Sequence, residues 1–185
     1  DPASPQAATW PEPFEPGRDL AEIASIELPG IAAPSACVPE PLTDRQRRSL
    51  RRRVAEDDYA EAALSIFGPE LAHVFKHGRG AVLYFARPES GRLADQGDKI
   101  TALAGMSEAA AARRIVALAC GPDRKWKSIT FTGSATFVEL AMREALAQKM
   151  AVHAEGEEQA AILARLIAET RGGMGANTGP AAAAD

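Results

Sequence analysis

Residues 126–150, WKSITFTGSATFVELAMREALAQKM, confine this chain more than any other stretch. Ile129 and Phe131 alternate with Ser128, Thr130 and Thr132, the two-residue period of a strand with one apolar face. Thr132, Gly133 and Ser134 then read as a tight turn. Gly133 can take backbone conformations closed to other residues, and the Ser134 hydroxyl can accept a bond from an orphan N–H at a helix start. Phe137, Leu140, Ala141 and Ala145 follow at helical spacing. Strand, turn and amphipathic helix make one half of a βαβ unit.

The flanking segments extend this pattern in both directions. Residues 81–86 read as a strand, 92–96 as its return, and 99–103 as a third strand after a turn at Gly97 and Asp98. Ser107 caps a helix over 108–120; residues 151–154 form a short strand containing His153, and 157–170 a last helix. Crossovers from 99 to 128 and on to 151 predict parallel pairing of consecutive strands. The expected class is therefore α+β or α/β. It has a mixed sheet with an antiparallel meander and a βαβαβ unit, helices mainly on one face, and a helical segment in front. The other face would carry Tyr84, Lys99, Thr101, Trp126, Ser128 and Thr130. Such a face could stack single-stranded bases, lie open to water, or be covered by the N-terminal segment.

Ahead of the sheet the composition changes. Residues 1–42 hold nine of the 13 prolines and read as linker. Within them Ile23, Ile26, Leu28 and Ile31 could dock a short piece on the domain, and Trp10 beside Pro11 suits either a recognition peptide or self-packing. Residues 43–77 read as an Arg-rich helical segment. Thr43 and Gln46 make a capping box, the helix runs on to Phe67, and a second short helix over 70–77 puts His73 and His77 one turn apart. Two histidines without a third ligand do not make a metal site, so no metal is expected. Residues 78–170 would be the folded domain and 171–185 a tail.

Charge is the most informative property of the helical segment. Arg45, Arg47, Arg48, Arg51, Arg52 and Arg53 precede Glu56, Asp57, Asp58 and Glu61. In one continuous helix, positive charge first and negative charge last would oppose the macrodipole. The arginines are thus candidates for phosphate or an acidic partner, against the plainer reading of a solvated face. Lys125, Trp126 and Lys127 join them as candidate nucleic-acid or partner contacts. Thr132, Gly133 and Ser134, at a helix start, form a weaker candidate for an anion. The whole chain carries a formal charge of −4, so any polyanion contact must be local.

Most catalytic signatures are missing. The sequence has no phosphate-binding loop of the GxxxxGK[ST] kind, no GxGxxG after a strand, no zinc spacing and no triad context. Tyr59 and Tyr84 lack the histidine cluster of a DNA-nicking tyrosine enzyme. Asp95 and Asp98 flank Gly97, where an aspartate commonly bonds its own turn; with Glu139 they form the one set that a magnesium-dependent phosphoryl-transfer or nuclease domain could use. Cys37 and Cys120 suit reduced thiols. No run of about 18 apolar residues exists, so no membrane insertion is expected. The opening DPASPQ lacks Met and a leader pattern, which suggests a piece of a longer protein.

From about residue 81 to 154 the chain resembles the large polyvalent protein-associated domain, seventh family. The likeness is carried by AVLYF, by ADQGDKITAL with Gly97, Asp98 and Ile100, and by an Ala-rich helix. It continues through KWKSITFTGSATF, with Trp126, Lys127, Ile129, Gly133, Ser134 and Phe137, and ends with QKMAV. It departs at Thr136 and Val138, where the family often has an acidic and a basic residue beside the Phe. The Arg-rich helix also looks like the segment that precedes this domain in conjugative relaxases.

The resemblance implies a non-catalytic accessory module of a relaxase, with the nicking domain elsewhere in the parent protein and no cofactor. The implied partners are the coupling protein of a type IV secretion machine, another relaxosome component, or single-stranded DNA. The implied roles are relaxosome assembly or carrying a translocation signal. The implied location is the bacterial cytoplasm, with transfer to a recipient cell. A structural spacer with no ligand is the remaining alternative.

Overall fold

In the computed structural model, residues 35–39, 42–103, 105–122, 124 and 126–173 are described. Strand β1 (Ala36–Pro39) leads to helices α1 (Asp44–Ala55) and α2 (Tyr59–Phe67) and a 3-10 turn (Gly68–Glu70). Strands β2 (Leu71–His77), β3 (Gly80–Phe85), β4 (Gly91–Asp95) and β5 (Ile100–Ala102) follow. Then come α3 (Glu108–Ala119), β6 (Ser128–Thr132), α4 (Ala135–Ala147), β7 (Ala151–His153) and α5 (Gly156–Gly173).

The strands form one sheet in the order β2-β3-β4-β5-β1-β6-β7. Only β6 and β7 pair in parallel; the other neighbours are antiparallel. The fold is α+β, a mixed sheet with helices largely on one face. The meander and both crossovers stand as expected, with one correction. β5 and β6 run the same way but do not pair, because β1 lies between them and bonds antiparallel to both.

Two segments differ from the sequence-based expectation. Ala36–Pro39, read as linker from its prolines, is the strand that joins the two halves of the sheet. Pro39 ends it, so no interior ladder N–H is lost. Leu71–His77, read as a helix, is strand β2, paired along β3 from Leu71↔Phe85 to His77↔Gly80. Leu71, Val74 and Phe75 have helical spacing in the sequence, but the Gly78 turn folds the segment back on β3 and the ladder decides. His73 and His77 are then not one turn apart: four strand residues separate them by about 13 Å.

Local chemistry sets the helix starts. Thr43 and Gln46 form the capping box of α1, the Ser107 hydroxyl accepts the Ala110 N–H at 3.2 Å, and Ser134 accepts the Phe137 N–H at 3.1 Å. Gly133 has φ +148°, and a Cβ there would stand 2.9 Å from the Ser35 Oγ, where β1 begins.

Alternation across the ladder sorts the side chains. Leu83, Leu93 and Ala102 make one row toward the helices; Ala81, Asp95, Ile100, Cys37 and Phe131 make the next. Onto these rows pack Tyr59, Ala63 and Phe67 from α2, Ile115 and Val116 from α3, and Phe137, Ala141 and Met142 from α4. Of the three readings of the second face, the one in which its hydroxyls lie open to water does not hold at the centre of the sheet. Thr101 and Thr130 are buried there, and Trp126 belongs to the main core, with the Arg124 guanidinium 5.2 Å from its ring centre.

Candidate functional site

The Arg-rich segment is two helices, not one. α1 stops at Ala55, with Glu56 as its extended C-cap, and α2 begins at Tyr59. This corrects the dipole argument. Arg52 and Arg53 occupy the last turn of α1, where positive charge is favourable, and Asp58 with Glu61 opens α2, where negative charge is favourable. What remains opposed to the dipole is the group Arg45, Arg47 and Arg48 near the start of α1.

The six arginines divide by what they touch. Arg51 makes a two-pronged ion pair with Asp98, Nη2 to Oδ2 at 2.9 Å and Nε to Oδ1 at 3.3 Å; this bond raises the Arg51 pKa further. Arg53 lines a cavity beneath the helix. Arg52 pairs loosely with Glu56 at 3.4 Å. Arg47 and Arg48 donate only to the backbone oxygens of Leu42 and Asp44. Among the described residues Arg45, Arg47 and Arg48 have no acidic partner, and all three are exposed, as is Arg52. Arg45, Arg48 and Arg52 stand at i, i+3 and i+7, so they share one face of α1, spread over about 10 Å of its axis.

Asp95 organises the interior below. It is fully buried. Its Oδ1 accepts the Gly97 N–H at 2.8 Å, as expected of an aspartate at a turn. Its Oδ2 accepts from both the Tyr59 hydroxyl and the Arg124 guanidinium. Burial pushes the Tyr59 hydroxyl up to about 12 and pulls the Arg124 guanidinium down from its ordinary value. Arg124 also donates to the Gly97 carbonyl at 3.2 Å. Gly97 has φ +85°, and a Cβ there would stand 2.6 Å from the Leu50 carbonyl carbon, so α1 rests directly on this turn. Above it lies a cavity of about 190 Å³, lined among others by Leu50, Arg53, Tyr59 and Arg124.

The other sequence candidates are dispersed. Lys125 lies outside the described residues, Trp126 is buried and Lys127 is exposed. Thr132, Gly133 and Ser134 form the expected turn and cap. The Ser134 hydroxyl donates to the Glu108 carboxylate, so an anion from the chain itself already occupies that corner. The carboxylates of the phosphoryl-transfer reading are each held by an arginine: Asp95 by Arg124, Asp98 by Arg51, and Glu139 by Arg143 and Arg165. No group of three or more His, Cys, Asp or Glu suited to a metal ion exists among the described residues, and no described helix is long and apolar enough to cross a membrane.

Sequence reading missed Tyr59, Arg124 and Arg114 as structural arginine and tyrosine anchors. Arg114 is 3% exposed; it bonds Glu70 Oε2 at 3.1 and 3.2 Å and the Glu89 carbonyl at 2.7 Å, over the Phe85 ring. Nothing local marks any of the three, because their partners lie far away in sequence.

The family model for large polyvalent protein-associated domain 7 matches residues 69–167, more than half of the chain. The match begins at the 3-10 turn ahead of β2, so β1 and the arginines of α1 precede it. No curated protein and no solved structure matches. The chain belongs to the large polyvalent protein-associated domain 7 family.

Proposed function

We propose that this chain is a non-catalytic accessory domain of a conjugative relaxase. It works in the bacterial cytoplasm in DNA mobilisation, travels with its parent protein into the recipient cell, and contributes to relaxosome assembly or translocation. Its ligand is the type IV secretion coupling protein or single-stranded DNA, bound through α1. Family membership supports the accessory role. The observation that carries the binding role is the face formed by Arg45, Arg48 and Arg52, with Arg47 beside it. Three guanidinium groups along one helix can engage successive phosphates or acidic side chains at the cost of only the loose, exposed Arg52–Glu56 pair. Arg51 is not part of this face, because Asp98 holds it.

Fluorescence anisotropy against a labelled single-stranded oligonucleotide and against the purified coupling protein tests the reading. Binding should weaken with salt. For DNA, replacing Arg45, Arg48 and Arg52 together by Ala should reduce the slope of log K against log[salt] by about 2, given roughly 0.7 per phosphate contact on a single strand. Absence of binding to both ligands at low ionic strength would leave the domain a spacer.

A further inference from the structure

The second face of the sheet holds a buried patch that no described element covers. Phe75, Val82, Ala94, Thr101, Ala36 and Thr132 are successive partners in one row across β2, β3, β4, β5, β1 and β6. Val38, Thr130 and His153 form a neighbouring row across β1, β6 and β7. Val82, Ala94, Thr101, Ala36 and Thr130 are each 6% exposed or less. Yet Val82, Ala94 and Ala36 stand outside the main core cluster, and the helices pack on the opposite face. An uncovered sheet face built from Ala, Val and Thr would be wet, because short side chains do not shield one another. The Thr130 hydroxyl is buried with no hydrogen-bond partner among the described residues, which also points to a covering layer.

We propose that residues 20–31 of this same chain, LAEIASIELPGI, are the cover, packed across Val82, Ala94, Thr101, Ala36 and Thr130. Three observations select this occupant. The chain reaches Ser35 directly from this segment, and β1 lies inside the sheet, so residues 20–31 begin within reach of both edges. Seven strands at about 4.8 Å spacing are roughly 29 Å wide, whereas the 12 residues, fully extended, span up to about 40–43 Å. Leu20, Ile23, Ile26, Leu28 and Ile31 give this segment five large apolar side chains within twelve residues. Charge agrees: residues 1–34 carry six acidic side chains against Arg18 alone, and the rim of the face carries Arg92. A face closed in this way is not open for base stacking, which leaves nucleic acid to α1.

Methyl-labelled full-length chain tests this directly. Nuclear Overhauser contacts are expected from the Ile23 and Ile26 δ1 methyls to the γ2 methyls of Thr101 and Thr130 and to Val82. Ile23→Asp with Ile26→Asp should raise amide exchange in β1 and β5 at least tenfold. Absence of these contacts in the unaltered chain overturns the proposal, whether or not the variant folds. So does finding them only in mixed-isotope samples, which would mean a second copy provides the cover. The measurement involves no DNA or coupling protein, so its outcome is independent of the function proposed for α1.

Discussion

Arg124 and Arg45 are the same residue type in opposite situations, and the contrast separates what holds the fold from what we propose meets a partner. Arg124 is nearly enclosed, bonded to a buried carboxylate and a turn carbonyl, with Trp126 beneath it. Arg45 stands in solvent on α1 with no acidic partner among the described residues. A buried ion pair adds little net stability over an apolar pair, but removing one member leaves a charge in the interior. An exposed arginine near a helix start costs a little and is dispensable to the fold. Arg114 sides with Arg124, clamping the 3-10 turn and the β3–β4 loop onto α3; Arg48 and Arg52 side with Arg45.

The largest effect should come from breaking the buried set. Arg124→Leu strands Asp95 and should cost about 3–5 kcal/mol in urea unfolding. Adding Asp95→Asn should recover part of that loss; simple additivity of the two changes would mean the pair is not coupled. Gly97→Ala comes next, at about 2–4 kcal/mol. It combines a left-handed φ with a Cβ driven into the backbone of α1, which a side-chain shift cannot relieve. An unfolding midpoint within error of the parent would show that α1 does not rest on the turn.

Tyr59 sharpens the comparison through pH. Its hydroxyl titrates near 10 in the unfolded chain and is pushed up to about 12 in the fold by burial. The folded state therefore keeps the proton longer. The contribution is fully present below pH 10 and is lost as pH rises toward 12, by up to about 3 kcal/mol. Tyr59→Phe should remove the tyrosine's share of the dependence, measured as unfolding midpoints from pH 9 to 11.5 in a Cys37→Ala background, because burial also pushes the Cys37 thiol up.

The sequence made the strand-turn-helix at 126–150, the three serine and threonine caps and the β3–β4–β5 meander readable, because each depends on neighbours within a few residues. It hid β1, four residues among prolines whose strand character exists only through β5 and β6. It hid β2 behind apolar residues that happen to have helical spacing. The Tyr59–Asp95–Arg124 set was beyond local reading because its members lie 36 and 29 residues from the shared carboxylate. The arginine block was visible, but its sorting was not. Arg51 is claimed by a turn 47 residues away, and the break at Glu56 turns an apparent dipole conflict into two helices with favourable ends around the junction.

The smallest expected stability change falls on the residues proposed for binding, and this gives the contrast its sharpest test. Arg45→Ala, Arg48→Ala and Arg52→Ala together remove no buried partner. The first two relieve positive charge near the start of α1, while the third gives up a weak exposed pair with Glu56 and a favourable place near its end. These effects oppose one another at a few tenths of a kcal/mol each, so the net change should stay within about 0.5 kcal/mol. Arg51→Ala, one residue away, should instead cost about 1–2 kcal/mol by freeing Asp98, with little effect on the salt slope of binding. If the triple variant unfolds as readily as the Arg51 variant, α1 is a structural helix whose charges are spent within the fold, and its arginines lose their claim to a partner.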